Sequence, residues 1–322
     1  MKRIALFTGG GDAPGMNAAI RAVVRQGCAS GLEVLGIQQG LRGIFEGTPR
    51  VLKLGDVGGI LERGGTMLQT SRYPPFFEKE VQQSAVERLR EWDVEGLVVI
   101  GGEGSLHAAL RLHELGMHTV GVPSTIDNDI FGTDMAIGVD TALNTIISAL
   151  DRLRDTATSH TRAFVVEVMG RHSGYLALLA TIAGGGEAVL VPELEFDLEQ
   201  LSKALSKGYK RNKNHAIVIV AEGIRKKNAG QYVADHLRKS TGFEVRVTVL
   251  GHTQRGGTPT AFDRLLASRL GAAAVEQLHL GVSGVMVGLE SDQIKLKTLA
   301  QVLSQKKALD PNLIQLANVL AR

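Results

Sequence analysis

The sequence VVIGGEGS at residues 98–105 and the sequence VGVPSTIDND at residues 120–129 decide the fold. Each begins with a short β-rich run and ends in a loop, and an apolar-periodic segment predicts a helix over residues 106–115 between them. A strand, a helix and a second strand in this order predict two parallel, neighbouring strands. Both loops then lie at the carboxyl ends of their strands, where open α/β sheets bind ligands.

The residues of these two loops suit phosphoryl transfer. In the first loop, glycines let backbone amides approach an anion, and the carboxylate of Glu103 among them requires a divalent cation between itself and a phosphate. The second loop supplies the carboxylates of Asp127 and Asp129 and the hydroxyl of Thr125. Taken alone, each loop could equally be a tight turn or a solvated connection. Their pairing at adjacent strand ends favours a functional site with metal ligands and a carboxylate for a sugar hydroxyl.

Length and composition bound the class of protein. The 322 residues predict about two domains at ~150 residues each, and a hydrophobic content of 44% indicates a globular chain. Apolar runs are too short for a membrane span, and the N-terminal residues do not form a signal sequence. The single cysteine, Cys28, rules out an internal disulfide and fits a reducing cytoplasm. A net charge of +3 with dispersed basic residues does not favour nucleic-acid binding.

The N-terminal residues predict a strand, a glycine loop and a helix. The strand spans residues 3–8, the loop residues 9–15 and the helix residues 16–29, with Asp12 as its expected cap and Pro14 in its first turn. The loop is not a Walker A motif, because no Gly-Lys-Ser/Thr ends it. It is not the dinucleotide fingerprint either, because Pro14 stands where the last glycine belongs.

The remaining chain repeats the alternation of strands and helices. Further strands are predicted at residues 33–37, 50–54, 163–168, 188–191, 216–220, 245–250 and 284–289. Further helices are predicted at residues 81–92, 137–155, 175–183, 198–209, 232–240 and 262–278, with a helical tail. This pattern predicts two doubly wound, mostly parallel sheets with a change of lobe near residue 137. Glycine-containing loops with a charged residue follow five strands and argue for a shared cleft, at Glu103, Asp127, Arg171, Glu222 and Arg255.

Four segments carry a resemblance to a known family. They are GGDAPGMN at residues 10–17, TIDND at 125–129, MGR at 169–171 and GHTQRGG at 251–257. The chain resembles the bacterial ATP-dependent 6-phosphofructokinases over essentially its full length. The resemblance implies two Rossmann-like lobes of the phosphofructokinase fold. A nucleotide-binding lobe would comprise residues 1–137 plus about 252–304, and a sugar-phosphate-binding lobe about 138–251 plus the C-terminal helix 305–322.

The resemblance also implies the reaction and its catalytic residues. The γ-phosphate of ATP passes to the 1-hydroxyl of D-fructose 6-phosphate, giving fructose 1,6-bisphosphate and ADP in glycolysis. Asp127 accepts the proton of the hydroxyl, Arg171 and Arg72 stabilise the transferring charge, and Thr125 helps to hold the phosphoryl group. Fixed arginines match the oxygens of phosphate, so the chemistry of these side chains agrees with these roles.

Binding residues follow from the same resemblance. Glu103 and Asp129 are implied as ligands of Mg²⁺. The nucleotide site is implied at Gly11, Arg72, Tyr73, Gly102, Glu103, Gly104 and Ser105. The sugar-phosphate site is implied at Thr125, Ile126, Asp127, Met169, Gly170, Arg171, Glu222, His252, Thr253, Gln254 and Arg255. Arg162 and Arg246 are implied to reach the 6-phosphate from a neighbouring subunit of a homotetramer.

An effector site is implied as well. Phosphoenolpyruvate inhibits and a nucleoside diphosphate activates many such enzymes. The matching positions are Arg21, Arg25, Arg154, Gly185, Glu187, Arg211, Lys213 and His215. Without the resemblance, Arg21 and Arg25 fit an exposed i,i+4 helix face. Leu54 lacks the arginine that some relatives use at this site.

Several departures keep alternatives open. Glu103 replaces a usual aspartate, Ser124 a usual glycine and Gly9 a usual serine. These changes motivate a second hypothesis, a catalytically weak regulatory paralogue that binds sugar phosphate or nucleotide. Lipid and NAD kinases share the Gly-Gly-acid-Gly loop, but the TIDND and HTQRGG segments favour the sugar kinase. Pyrophosphate-dependent relatives carry aspartate in place of Gly104 and lysine in place of Ser124, so ATP is favoured as donor.

Overall fold

The computed structural model describes residues 1–160, 162–210, 215–225, 227–241 and 244–321, without the side chains of residues 160, 209 and 210. The chain divides into two compact units. The first comprises Met1–Thr141 and Arg255–Lys307, and the second comprises Ala142–Gln254 and Ala308–Arg322.

Strands and helices alternate along nearly the whole described chain. The strands are β1 (Arg3–Gly9), β2 (Glu33–Gly36), β3 (Arg50–Val51), β4 (Gly96–Gly101), β5 (His118–Pro123), β6 (Arg162–Val168), β7 (Ala188–Leu190), β8 (Ala216–Ala221), β9 (Glu244–Val249), β10 (Val285–Glu290) and β11 (Gln293–Thr298). The helices are α1 (Met16–Ala29), α2 (Arg42–Glu46), α3 (Lys79–Glu91), α4 (Glu103–Glu114), α5 (Val139–His160), α6 (Tyr175–Gly184), α7 (Leu198–Lys210), α8 (Ala229–Ser240), α9 (Ala261–His279), α10 (Leu299–Ser304) and α11 (Pro311–Leu320). Short 3₁₀ helices lie at Pro74–Phe77, Glu222–Ile224 and Gly251–Arg255.

The first unit is built on a mixed sheet. Within the described residues the strand order is β11-β10-β5-β4-β1-β2-β3; the five central strands are parallel, and each edge strand is antiparallel to its neighbour. Side chains of β1 alternate between the faces, as the strand period of two requires. Ile4 and Leu6 join the core under α1 and α9, whereas Ala5 and Phe7 join the core under α3 and α4. Helices on both faces explain the continuous apolar strands.

The second unit contains a smaller sheet with the order β7-β8-β6-β9, in which every described pair is parallel. One face packs against α7 and α8, with Leu198, Leu205, Val233 and Leu237 in a buried cluster with Val165 and neighbouring strand residues. Helix α6 packs against β7 and β8, and α11 packs against α6. These sheets confirm the predicted α/β class with mostly parallel strands. Among the described residues, none of the helices combines the length and the apolar character that a membrane crossing needs.

The predicted helical tail is wrong over the segment that forms β11. Residues of β11 pair antiparallel with β10 through a turn at Ser291 and Asp292, whose φ angles are 50° and 61°. Positive φ at both central residues is typical of a tight hairpin turn. Asn-Gly and Asp-Gly are the usual signals of that turn, and Ser-Asp is a weaker one, so the sequence pattern missed it.

The starts of two helices also differ from expectation. Asp12 does not cap α1, and Pro14 precedes the helix; Gly15 is the N-cap, with φ of 108° and no side-chain cap. A Cβ at Gly15 would lie 2.7 Å from Ile137 Cγ2, so packing and the positive φ both require glycine. Helix α4 begins at Glu103, three residues earlier than predicted, so this acid belongs to a helical turn.

Candidate active site

Three loops of the first unit meet at the carboxyl ends of β1, β4 and β5. These strands are parallel neighbours, which confirms the predicted pairing of the two central loops. Ser124 N donates to Gly101 O at 2.9 Å, joining the loop after β5 to the end of β4. Ideal Cβ positions at Gly10 and Gly102 lie 3.6 Å from Ser105 Oγ and 3.7 Å from Thr125 Cβ, respectively. The glycine loop and both central loops therefore share one edge.

Ser105 packs inside this edge. Its side chain is 5% exposed, and ideal Cβ atoms at Gly9 and Gly101 would each lie 2.5 Å from its hydroxyl oxygen. Its amide donates to Gly102 O at 2.9 Å. A Cβ at exposed Gly104, in contrast, would meet open space. The surface at Gly104 is therefore accessible to a nucleotide, whereas the Ser105 side chain mainly fills the gap between strand ends.

The two predicted metal ligands differ in exposure. Glu103 occupies the first turn of α4, where a negative charge is favourable, and its carboxylate lies 3.9 Å from His107 Nε2. Asp129 is half-buried. The described residues contain no cluster of three or more potential ligands. Mg²⁺ commonly takes one or two carboxylates and completes its shell with water and substrate phosphates. Glu103 and Asp129 are carboxylates, which is the ligand type that such an ion takes from a protein.

The segment that joins β5 to α5, residues 124–138, is named the acid loop here. Asp127 is 2% exposed, and its amide donates to Thr125 Oγ1 at 3.1 Å. Ile126 is fully buried, so its side chain belongs to the core. Asn128 has φ of 49°, donates from Nδ2 to Asp134 O at 3.1 Å and accepts from Ala136 N at 3.0 Å. Sequence reasoning passed over Asn128, although asparagine is typical of such left-handed positions.

The segment that carries Arg72 is fixed beside the glycine loop. Thr70 Oγ1 donates to Gly10 O at 2.8 Å, and Ser71 Oγ donates to Gln39 O at 2.8 Å. On the other side, the Tyr73 ring stacks on Phe45 at a centroid distance of 5.0 Å and an interplanar angle of 16°. The exposed Arg72 side chain therefore projects from an anchored backbone.

Arg255 lies against the glycine loop of the same unit. Its Nη1 donates to Asp12 O at 3.0 Å, and a Cβ at Gly11 would lie 2.4 Å from this nitrogen. Glycine at position 11 therefore lets the guanidinium approach the backbone. Arg255 thus contacts a predicted nucleotide-site residue, in addition to the sugar-phosphate role predicted for it.

In the second unit, the loop after β6, residues 169–174, is named the arginine loop. One carboxylate oxygen of Glu222 accepts from Gly170 N at 3.3 Å and from Arg171 N at 3.0 Å. Arg171 is exposed and has φ of 52°, an uncommon conformation outside glycine. A Cβ at Gly223 would lie 1.8 Å from Arg171 O. Because β6 and β8 are neighbours, the end of β8 fixes the backbone of Arg171.

The segment at Gly251–Arg255 supplies a second support for this loop. Gln254 is fully buried; its Oε1 accepts from Met169 N at 3.3 Å and its Nε2 donates to Gly251 O at 3.0 Å. His252 and Thr253 are exposed. His252 and Thr253 are therefore accessible to substrate, whereas the Gln254 side chain holds the backbone of Met169.

Arg162 is the first residue of β6, at the end opposite the arginine loop, and Arg246 lies in the neighbouring strand β9. Arg162 pairs with Glu244 at 2.9 Å, and Arg246 contacts the other oxygen of that carboxylate. The hydrogen bond from Arg162 and the charges of both arginines hold the pKa of the Glu244 carboxyl below its ordinary value. Because β6 spans seven residues, Arg162 lies about 20 Å from the arginine loop. A single chain does not bring these two arginines to that loop.

Three predicted effector residues lie together in the second unit. Arg154 Nη2 donates to Gly185 O at 3.0 Å and also contacts Gly184 O, and Glu187 accepts from Ile217 N. Among the other positions, Arg21 and His215 are half-buried and Arg25 is exposed. Arg211 and Lys213 lie outside the described residues.

A buried carboxylate that sequence reasoning missed anchors the end of the acid loop. Asp263, in the first turn of α9, accepts from Gly138 N and Thr141 N, each at 2.8 Å, and from the Thr141 hydroxyl. It is fully buried, and burial raises the pKa of its carboxyl above the ordinary value. Its partners lie more than 120 positions away in the chain, so no local pattern indicates them.

Comparison with known proteins identifies the family. The phosphofructokinase family model matches residues 3–278. The chain is 52% identical over 321 residues to the ATP-dependent 6-phosphofructokinase of Listeria welshimeri and 51% identical to that of Halalkalibacterium halodurans, covering the full length of each. Phosphofructokinase from Pichia pastoris shares 35% identity and a TM-score of 0.89, over 94% of this chain and 37% of the yeast chain.

A more distant solved structure shares the fold. The pyrophosphate-dependent phosphofructokinase from Marinobacter aquaeolei is 22% identical, with a TM-score of 0.88 over 97% of this chain and 86% of its own. Full-length similarity in sequence and fold agrees with the motifs and with the placement of the strand-end loops. The chain belongs to the phosphofructokinase family.

Proposed function

We propose that this chain transfers the γ-phosphate of ATP to the 1-hydroxyl of D-fructose 6-phosphate, producing fructose 1,6-bisphosphate and ADP in glycolysis. Full-length identity of 52% to a protein named ATP-dependent 6-phosphofructokinase is the observation that carries this proposal. Gly104 and Ser124 stand where pyrophosphate-dependent relatives have aspartate and lysine, which supports ATP as the donor.

The first unit supplies the base and the nucleotide contacts. The Asp127 carboxylate accepts the proton of the 1-hydroxyl, and Thr125 positions the transferring group. Gly11, Arg72, Tyr73, Gly102 and Gly104 contact the nucleotide. Glu103 and Asp129 hold Mg²⁺, which neutralises phosphate charge when bound. Burial of Asp127 supports its role, because excluding water strengthens the interaction of the carboxylate with the hydroxyl proton.

The second unit supplies the sugar-phosphate contacts and a transition-state cation. Arg171 stabilises negative charge on the transferring phosphoryl group, where a planar guanidinium can bind two oxygens. Met169, Gly170, Glu222, His252 and Thr253 contact the sugar phosphate. The two hydrogen bonds from the arginine loop to Glu222 support this assignment, since they fix the backbone from which Arg171 extends.

A homotetramer is proposed, in which Arg162 and Arg246 bind the 6-phosphate in a neighbouring subunit. The distance of Arg162 from the arginine loop supports a role at another chain's site. The test mixes Asp127→Asn subunits with Arg162→Ala subunits, each inactive alone, after dissociation and reassembly. Restored activity is expected, since some sites then combine Asp127 from one chain with Arg162 from another. Lack of restoration in reassembled tetramers would contradict sharing.

Allosteric control and a cytoplasmic location complete the proposal. Phosphoenolpyruvate is the expected inhibitor at a site that includes Arg154, Gly185 and Glu187. The contacts of Arg154 with Gly184 O and Gly185 O support a common site, because Glu187 lies two positions after Gly185. Arg154→Ala is expected to abolish inhibition while leaving activity without effector unchanged. The single free cysteine is compatible with a reducing compartment.

The deciding experiment measures fructose 1,6-bisphosphate formed by the purified chain from fructose 6-phosphate and Mg²⁺, with ATP or with pyrophosphate. Turnover with ATP alone is expected, and the Asp127→Asn variant controls for contaminating kinases. Turnover with pyrophosphate would overturn the choice of donor. Sugar-phosphate binding without turnover by either donor would favour the regulatory paralogue, a hypothesis motivated by Glu103 in place of aspartate.

A further inference from the structure

We infer that Lys307 is a positioning residue for the acid loop and, through it, for Asp127 and Asp129. The inference rests on the proposed kinase function, and it adds a residue outside every motif of the sequence. Lys307 follows α10 and is the last residue of the first unit. Its side chain returns to a segment more than 170 positions earlier in the chain.

Two hydrogen bonds join Lys307 to the acid loop. Its ammonium Nζ donates to Thr133 O at 2.8 Å and to Asp134 O at 2.7 Å. A hydrogen bond from a charged donor is stronger than one between neutral groups. The ammonium therefore fixes two consecutive carbonyls of the loop.

A short relay connects this contact to the catalytic carboxylate. The carbonyl of Asp134 also accepts from Asn128 Nδ2 at 3.1 Å, and Asn128 lies between Asp127 and Asp129. Lys307 and Asn128 thus share one acceptor. A displacement of that carbonyl would move Asn128 and, with it, the directions of the two neighbouring acids.

The hairpin of β10 and β11 holds the same part of the loop from another direction. Asp134 N donates to Leu289 O at 2.6 Å, Ser291 N donates to Asp134 Oδ2 at 2.7 Å, and Leu289 N donates to Thr133 Oγ1 at 3.0 Å. These bonds fix the hydroxyl of Thr133 and the amide and carboxylate of Asp134. Lys307 fixes their carbonyls, so the two anchors are complementary.

The charge of Lys307 suits this place. The acid loop carries three carboxylates, at Asp127, Asp129 and Asp134, and those of Asp129 and Asp134 attract the ammonium. Burial lowers the pKa of Lys307 to about 8, against that attraction, so the ammonium form still predominates at neutral pH. Burying a cation is costly, and an apolar side chain would fill the space without this cost. The cost is explained if the charge is needed to hold the loop.

The test compares two variants of Lys307. Lys307→Met keeps the length of the side chain but removes its charge and its hydrogen-bond donors, whereas Lys307→Arg keeps the charge and the donors. Lys306→Met is the matched control, because Lys306 is the exposed neighbour. Each variant is assayed well below its thermal midpoint for kcat, for KM of fructose 6-phosphate and for its Mg²⁺ requirement. Lys307→Met is expected to lower kcat about tenfold, because a misplaced catalytic group slows chemistry, with KM within about twofold. Lys307→Arg is expected to restore most of kcat.

Hydrogen–deuterium exchange of the acid loop provides a readout that does not depend on turnover. Lys307→Met is expected to speed exchange at residues 125–137 and to leave α1 unchanged, whereas Lys306→Met changes neither. Unchanged kcat and exchange in Lys307→Met, or a lower thermal midpoint alone, would overturn the inference. Equal losses in Lys307→Arg and Lys307→Met would also overturn it. If the wild-type chain shows no turnover, the kinase proposal fails, and loop exchange alone decides the role of Lys307.

Discussion

The acid loop and the arginine loop occupy equivalent places in their units, yet they are held in different ways. Each follows the carboxyl end of a central parallel strand. The acid loop is largely buried and is bonded internally through Asn128 and externally to the β10–β11 hairpin and Lys307. The arginine loop ends in an exposed Arg171, and its backbone is held by Glu222, Gln254 and the close approach of Gly223.

This difference matches the chemistry proposed for each loop. A carboxylate that accepts a proton benefits from a buried and fixed position, because a misplaced base loses most of its catalytic effect. An arginine that binds phosphate presents a long, charged side chain, so only its backbone needs a fixed direction. We therefore expect substitutions around the acid loop to affect both stability and activity, and substitutions around the arginine loop to affect mainly activity.

The largest effect is expected from removal of the carboxylate charge at the centre of the acid loop. Asp127→Asn should lower kcat about 10³-fold, because the amide cannot accept the hydroxyl proton. Steady-state kinetics with ATP and fructose 6-phosphate measure the loss, and circular dichroism checks the fold. Asp151→Asn, at an exposed position of α5, is the control. If Asp127→Asn lowered kcat less than tenfold, another group would be the base.

A smaller loss is expected from the arginine loop. Arg171→Ala should lower kcat about 10²-fold, because it removes the positive charge that stabilises the transferring phosphoryl group. Arg171→Lys should recover only part of kcat, because an ammonium lacks the planar fork of a guanidinium. Neither change should lower the thermal midpoint noticeably, since the Arg171 side chain is exposed. The adjacent His172→Ala serves as control, and full activity of Arg171→Ala would refute the assignment.

Two glycines test the contrast between the loops directly. A Cβ at Gly223 would lie 1.8 Å from Arg171 O, and a Cβ at Gly288 would lie 2.2 Å from Gly132 O in the acid loop. Gly288→Ala should cost about 1–3 kcal/mol of unfolding free energy, because it strains a buried contact. Gly223→Ala should lower kcat about tenfold with a smaller effect on stability, because it displaces the Arg171 backbone.

Chemical denaturation and kinetics on the same preparations separate these two outcomes. Gly55→Ala is the control, because a Cβ there meets no atom within 4 Å. If Gly223→Ala destabilised the fold more than Gly288→Ala, the proposed contrast would be wrong.

The smallest effect concerns the anchor at the end of the acid loop. Burial raises the pKa of Asp263, and the charge of Asp140 adds to this shift, so the folded state keeps the proton to higher pH than the unfolded state does. The unfolding free energy should therefore fall as the pH rises from about 4 through the pKa of Asp263 in the folded state. The slope should be at most about 1.4 kcal/mol per pH unit. Asp263→Asn should remove this component of the slope.

Denaturant unfolding between pH 4 and 7 measures the difference in slope between the wild type and Asp263→Asn. The kcat of the folded variant should change little at neutral pH, because Asp263 holds only the last residue of the acid loop, Gly138, and the first turn of α5, far along the chain from Asp127. Identical slopes for the two proteins would show that Asp263 has no raised pKa in solution.

The sequence alone was sufficient to predict the alternation of strands and helices, the strand-end loops and the family resemblance. Strand and helix periodicity and turn residues are local properties, so α1 and α6 were placed within a residue of their observed ends. The chemistry of Asp127, Asp129 and Arg171 is likewise visible in the residue types that follow apolar strands. Local patterns failed where local signals are weak, as in the Ser291–Asp292 turn before β11.

Only the tertiary structure decided which distant groups hold these residues in place. Lys307 and Asp134, Asp263 and Thr141, and Glu222 and Arg171 are far apart in the sequence, and strand order and helix packing bring each pair into contact. The structure likewise showed that Ser105, Ile126 and Gln254 are buried. The physical reason is that periodicity reports the environment of a residue along its own strand or helix, whereas a hydrogen bond between segments depends on how those elements are packed.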